Sequence, residues 1–335
     1  MIGGKTHRLQ EYLRNSSSAF DVFIGSISFE KRCLGAAELM KNSSRNLKRL
    51  YFIDYLYLIK ILSGRQAEMI KRDRKRRIEQ QAANKAVLKQ MYPNAQFPSV
   101  RISAPLRDIL NYVESFFATE QIHMNRAERI CIDMSTFTKP FFFLIMKMVV
   151  EIFKKKRFFV INTIPSQYTP APLSFNVWGA EIMPAYNGIW NPQNRNALIA
   201  VLGFEGNKLA SILSKWSFTE ISPIIGFPAF YPGLQDRTLS ANIPALRNLD
   251  VLADMKYAPA LDPFESYSVM KAIMDAYAGG YNIALAPLGP KPMALASALL
   301  AIENRLRVVY TFPQDYSAAY SQEIGESYLY EVNLS

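Results

Sequence analysis

The sequence predicts an α/β protein built from two tandem Rossmann-like domains that form a pseudo-dimer. Three observations predict it. Short apolar runs alternate with longer segments of helical spacing, the order expected when parallel strands are joined by helical crossovers. Two of the strand-to-helix turns end in Lys-Pro, at Lys139-Pro140 and Lys291-Pro292. Around them, ordered anchors recur. Phe29-Glu30 matches Phe204-Glu205, and Thr163-Ile-Pro165-Ser-Gln-Tyr168 matches Thr311-Phe-Pro313-Gln-Asp-Tyr316. A two-copy repeat of this kind is a fused pair, not a solenoid.

Taken in order, residues 1–18 are polar and basic. Phe20 to Ile24 reads as a strand, Gly25-Ser-Ile-Ser28 as its turn, and Cys33 to Met40 as a helix. This opening lacks the Gly-x-Gly-x-x-Gly fingerprint, so no dinucleotide cofactor is expected. Leu50 to Asp54 is the next strand. A basic helical insertion follows at about residues 60–92, with Lys71-Arg-Asp-Arg-Lys-Arg-Arg77 inside it. Ser99 to Ile102 is a strand, and Leu106 to Phe117 has helical spacing. Arg129 to Ile132 leads into the first Lys-Pro turn, Phe141 to Phe153 leads out as a helix, and Arg157 to Ile161 closes the domain near residue 170. Residues 163–195 are rich in Pro, Tyr, Asn and Trp; 171–195 read as a linker with some strand in it, and 196–335 as the second domain. In it Asn196 to Leu202, Ile221 to Ile225 and Arg307 to Tyr310 are strands. Lys208 to Trp216, Asn242 to Leu252 and Glu265 to Tyr277 are helices, the last started by Asp262 as cap and Pro263 at the first position. The alternating Tyr328-Leu-Tyr-Glu-Val332 reads as a final strand.

Composition narrows the function. Half the residues are hydrophobic and 13% aromatic, so both domains can build cores. Cys33 and Cys131 are the only cysteines and lie in apolar segments, where buried thiols are expected. With His7 and His123 as the only histidines, no metal site and no Ser-His-Asp triad is expected. No signal-peptide core opens the chain, and Phe141 to Phe153 is too short to span a bilayer, so the expectation is a cytoplasmic protein with no membrane partner. The net charge of +11 points to polyanions: nucleotides, nucleic acid or acidic protein surfaces.

Ligands of open α/β sheets sit beyond the carboxyl ends of the strands. Both candidate turns of each domain emerge there. The expected rims are therefore Gly25, Ser26, Ser28 and Glu30 with Ser135, Thr136, Thr138 and Lys139, and Gly203 and Glu205 with Gly289 and Lys291. Packed as a pseudo-dimer, the rims would share one pocket. Hydroxyls, backbone N–H groups and an ammonium at a helix start suit an anion. Glu30 and Glu205 are read as helix-start acids, contacts to a sugar hydroxyl, or salt-bridge partners of the repeated Lys. Tyr168 and Tyr316 are candidates for base stacking.

The Asp133-Met-Ser-Thr-Phe-Thr-Lys139 turn resembles the Lys-bearing motif of CRISPR-associated Rossmann fold (CARF) sensor domains, and the fused pair resembles the related SAVED sensors. That resemblance implies a nucleotide or cyclic-oligonucleotide ligand, a role in antiphage defence and a partner effector protein. It places Ser135, Thr136, Thr138 and Lys139 in the binding motif, with Gly289 and Lys291 as a looser second copy and Gly25, Ser26 and Ser28 as the strand-one turn. Other classes stay open. A ring-opening phosphodiesterase would align a ribose hydroxyl with Lys139, Lys291, Ser135 and Thr138. A glycosidase would use Glu30 or Glu205. A nucleic-acid-binding subunit would use Arg72, Arg74, Arg76 and Arg77. No complete nucleophile–base set is visible, which disfavours catalysis.

Overall fold

The computed structural model describes residues 2–16, 20–43, 47–57, 67–247, 249, 251–277 and 279–334. The part of the expected basic insertion at residues 60–66 lies outside them. Two compact units make up the chain: Met1–Ala171 with Asp315–Ser335, and Pro172–Gln314.

Along the first stretch the elements are β1 (Ile2–Arg8), α1 (Leu9–Asn15), β2 (Val22–Ile27), α2 (Arg32–Asn42), β3 (Arg49–Tyr57), α3 (Ala67–Met91), β4 (Ser99–Ile102), α4 (Pro105–Thr119), α5 (Gln121–Arg126), β5 (Ile130–Asp133), α6 (Lys139–Lys147) and β6 (Arg157–Thr163). A π-helical turn, Met148–Ile152, extends α6. The short β7 (Gln167–Tyr168) follows. The second stretch holds β8 (Ser174–Ile182), β9 (Arg195–Val201), α7 (Gly206–Lys215), β10 (Glu220–Gly226), α8 (Leu234–Leu246), β11 (Lys256–Ala258), α9 (Pro263–Ala276), β12 (Tyr281–Pro287), α10 (Lys291–Asn304) and β13 (Arg307–Tyr316). The chain then returns with β14 (Ser321–Gln322) and β15 (Ser327–Leu334).

The sheet of the first unit runs β1-β15-β6-β5-β2-β3-β4. Its core strands β6, β5, β2, β3 and β4 are parallel. Counted from β2, this is the strand order 3-2-1-4-5 of a Rossmann half. The sheet of the second unit runs β11-β10-β9-β12-β13-β8, and counted from β9 it has the same order. Its strands from β11 to β13 are parallel too. The repeated anchors thus sit on two copies of one topology.

Buried parallel strands read as near-continuous apolar runs, and all six residues of β2 are buried. Helix α6 is apolar on every face, and every residue from Pro140 to Met146 is buried. On α4 the buried Ile109, Val113, Phe116 and Phe117 form the single stripe that the sequence spacing predicts. Asp262 caps α9 as expected, accepting from the N–H of Phe264 at 2.8 Å and of Glu265 at 3.2 Å. Cys33 and Cys131 are buried thiols.

Several expectations need correction. Residues 1–18 are not merely a polar lead. Ile2–Arg8 pairs antiparallel with β15 along its whole length. The second domain does not run to residue 335. The alternating apolar residues of β15 fill the gap between β1 and β6, which returns the tail to the first unit. The strand expected inside the linker 171–195 is β8, and from Pro172 the stretch belongs to the second unit, with β8 beside β13 in its sheet. Helix α8 starts earlier than its apolar pattern suggests, because Gly233 at φ 84° turns the chain into it.

One capping contact gives a pH prediction. Asp108, in the first turn of α4, reaches back to the N–H groups of Ser103 and Ala104, both at 2.8 Å. These backbone bonds, Ala104's first, hold its carboxyl down at about 2. A depressed carboxylate stabilises the fold above its unfolded value near 3.9 and loses that contribution as pH falls toward 2. Asp108→Ala should therefore cost about 1 kcal/mol in urea unfolding at pH 7. The difference from wild type should shrink below pH 4. A pH-independent difference would rule out this origin.

Candidate functional site

In each unit the strand order reverses between the first and fourth parallel strands, which is where open α/β sheets form a crevice. In the first unit these strands are β2 and β5. In the second they are β9 and β12.

At the first switch point the ends of β2 and β3 meet the turn that follows β5. The hydroxyls of Ser26 and Thr136 lie 2.8 Å apart. The Tyr55 phenol donates to the Thr136 carbonyl at 2.7 Å and accepts from the Thr138 N–H at 3.2 Å. The hydroxyls of Tyr57 and Thr138 lie 3.1 Å apart. Burial pushes both phenols well above their ordinary range, so they remain protonated at neutral pH. Thr138 caps α6, Lys139 is the first helical residue, and Pro140 follows where a missing N–H costs nothing.

The hydroxyls are less available than the sequence suggests. Gly25 and Ser26 are not in the turn. Strand β2 runs on to Ile27, so both lie within it and are buried. Ser135 is fully buried. It donates to Asp133 Oδ1 through both its N–H, at 2.9 Å, and its hydroxyl, and it accepts from the Thr163 N–H at 2.6 Å. Ser28 accepts from the Glu30 N–H at 3.2 Å. Ser135 thus ties its turn to the end of β6, and Ser28 closes its own turn. Thr138 and Lys139 are the members of the first Lys-bearing turn that keep partial exposure.

Glycine does the equivalent work in the second unit. A Cβ on Gly203 would lie 2.3 Å from the Leu288 carbonyl, and one on Gly289 would lie 2.7 Å from the Leu202 carbonyl. The two turns approach so closely that side chains are excluded. Asn242 adds a 2.7 Å bond to the Gly203 carbonyl. Lys291 begins α10 as Lys139 begins α6.

Glu30 and Glu205 have matching surroundings. Glu30 Oε2 accepts from Arg32 Nη2 at 2.5 Å and Nε at 3.0 Å, from Tyr320 at 2.9 Å and from Ser321 at 2.8 Å. Burial works against the Arg32 charge, but Glu30, Tyr320 and Tyr168 outweigh it and raise its pKa. Arg32 Nη1 also donates to the Thr163 carbonyl at 3.1 Å. In the second unit Glu205 meets Lys208 at 2.5 Å, and its Oε1 accepts from the Ser174 N–H and hydroxyl. Both acids form salt bridges, but the cations are Arg32 and Lys208, not the repeated lysines that the sequence reading named as partners. The sequence reading missed Arg32, Lys208, Tyr55, Tyr57 and Tyr320. Arg32 lies two residues beyond Glu30 and Lys208 three beyond Glu205, so the only available signal was a basic residue shortly after each repeated Glu, without a shared spacing.

The other predicted residues separate. The rings of Tyr168 and Tyr320 lie 6.3 Å apart, and those of Tyr316 and Tyr57 5.9 Å apart. Of the four arginines assigned to nucleic acid, Arg74 and Arg77 do not face outward. Both bind Asp315, whose side chain is 1% exposed, and Arg77 also binds Asp73 at 3.2 Å. Asp315 and Asp73 together balance the two cations from within the fold. Arg72 and Arg76 are exposed. Among the described residues, no group of three His, Cys, Asp or Glu side chains is placed to hold a metal ion, and no helix is long and apolar enough to cross a membrane.

No family model matches the chain, and no curated protein does. Among solved structures, it is similar at 12% identity and a TM-score of 0.20 to an N-terminal ketoreductase from a macrolactin assembly line. The match covers 86% of this chain and 64% of that one, so the chain spans less than two thirds of the ketoreductase's length. A likeness this shallow carries no argument about function. The α/β architecture rests on the strand order itself.

Proposed function

We propose that this protein is a sensing module for a nucleotide or cyclic-oligonucleotide ligand, working in the cytoplasm in antiphage defence and passing its signal to a partner effector protein. The observation that carries this reading is the doubled switch point. Two sheets of order 3-2-1-4-5 each follow their fourth strand with a helix whose first residue is a lysine, Lys139 or Lys291. A helix N-terminus and an ammonium favour a phosphate there, and in the first unit the part-exposed Thr138 adds a hydroxyl. The commitment of Glu30 to Arg32, Tyr320 and Ser321 speaks for a scaffold role of that acid over a glycosidic one.

Thermal-shift titration with cyclic di-, tri- and tetranucleotides tests the reading. Stabilisation should grow with ligand as mass action requires, reaching about 2.7 kcal/mol at a hundred times Kd. Lys139→Ala, which removes a charge-assisted contact of about 1.5–3 kcal/mol, should weaken binding about ten- to hundredfold. Absence of a shift with every ligand in the series would overturn the proposal. Loss of the ligand over time would favour a phosphodiesterase.

A further inference from the structure

The basic run on α3 is left unused by the switch-point site, and the structure divides it into two faces. At about 100° per residue, Ile70, Arg74, Arg77, Gln81, Asn84 and Leu88 share one side of the helix. That side is anchored. Ile70, Arg77, Asn84 and Leu88 are buried. Arg74 and Arg77 pair with Asp315, and Gln81 donates to Asp54 and to the Tyr55 carbonyl. Lys85, next to this side, meets Asp54 at 2.5 Å. The internal acids Asp54, Asp73 and Asp315 therefore take up the inward cations.

Lys71, Arg72, Lys75 and Arg76 lie on the opposite side, and all four are exposed. Their centre on the helical wheel falls roughly 180° from the anchored stripe. The acids on this outer side stand at its ends. Glu68 pairs with Lys71 at 2.7 Å, with both side chains more than half exposed, and Glu79 is exposed one turn beyond Lys75 and Arg76. Exposed pairs of this kind contribute little and are readily exchanged. The cations are thus held outward on a helix fixed from behind, and packing does not explain them.

We infer that this face binds the phosphate backbone of a nucleic acid. Four cations within two turns complement a polyanion, and the two arginines offer planar forks that match phosphate oxygens. A bilayer fits the face less well. The large apolar residues exposed on α3 are Met69, Ile78 and Val87. Ile78 projects about half a turn away from the other two, so they form no continuous stripe to enter lipid. This inference stands apart from the ligand proposed above.

The full-length chain can be titrated against labelled DNA and RNA duplexes of mixed sequence by fluorescence anisotropy over a range of salt. Affinity should fall steeply with salt and show little sequence preference. Arg72→Ala with Arg76→Ala should weaken binding at least tenfold at low salt. It should also lower the slope of log K against log salt by about two. Because both side chains are exposed, the urea midpoint of this variant should match wild type, which separates lost binding from lost folding. A slope unchanged in the double variant would overturn the inference, as would binding confined to phosphatidylserine vesicles, which would assign the face to a membrane.

Discussion

Asp315→Ala is expected to destabilise the unit formed by residues 1–171 and 315–335 by about 3–5 kcal/mol, the loss typical when one partner of a buried ion pair is removed. The carboxylate is 1% exposed. It holds Arg74 at 2.7 Å and Arg77 as well. Without it, two largely buried guanidiniums are left to Asp73, which already binds Arg77 and the Ala318 N–H. The loss should appear as a lower urea midpoint, with faster amide exchange in α3 and in residues 315–321. Asp315→Asn, which keeps hydrogen bonding but not the charge, should fall between alanine and wild type. A cost below about 1 kcal/mol would mean that the cluster behaves as a solvent-screened surface pair.

Glu30→Ala is expected to cost a similar 3–5 kcal/mol, for a related reason. The Arg32 side chain is 5% exposed and would keep the Thr163 carbonyl but lose its countercharge. Tyr320 and Ser321 would lose their shared acceptor. Adding Arg32→Leu to Glu30→Ala should recover part of the loss, because an unpaired buried charge is worse than an apolar replacement. If the double variant is less stable than Glu30→Ala alone, the arginine stabilises the fold independently of the acid. In both predictions a cation that looks solvent-facing in the sequence is a structural anchor.

The sequence carries the local architecture well. Strand, polar turn and helix were legible on both sides of Lys139 and Lys291, because buried parallel strands and apolar helices leave clear runs. The pairing of Glu30 with Arg32 and of Glu205 with Lys208 was not, because an acid and a base a few residues apart usually face water. Helix α3 was legible as a helix, but not its inward side. Arg77 occupies a position seven residues from Ile70 and seven from Asn84, a core register that its charge disguises. Its partner Asp315 lies 238 residues away, and one sequence holds no signal linking them. The same limit applies to β15. Its alternation marks a strand, but nothing in residues 327–334 names β1 and β6 as its neighbours. The stretch around β8 reads as a connection with some strand in it, but nothing in its sequence names β13 as that strand's neighbour.

The position of β15 also sets an order of events during synthesis. It lies between β1 and β6 and pairs with both, Ile2 opposite Leu334 and Thr163 opposite Ser327. Every strand of the sheet from β8 to β13 leaves the ribosome before it. The inserted unit is contiguous and can complete its sheet while the unit that begins the chain still lacks the strand that joins β1 to β6. The usual amino-to-carboxyl progression of domain folding is inverted here: the enclosed unit can be finished first, and β1 must wait for a partner made more than three hundred residues later.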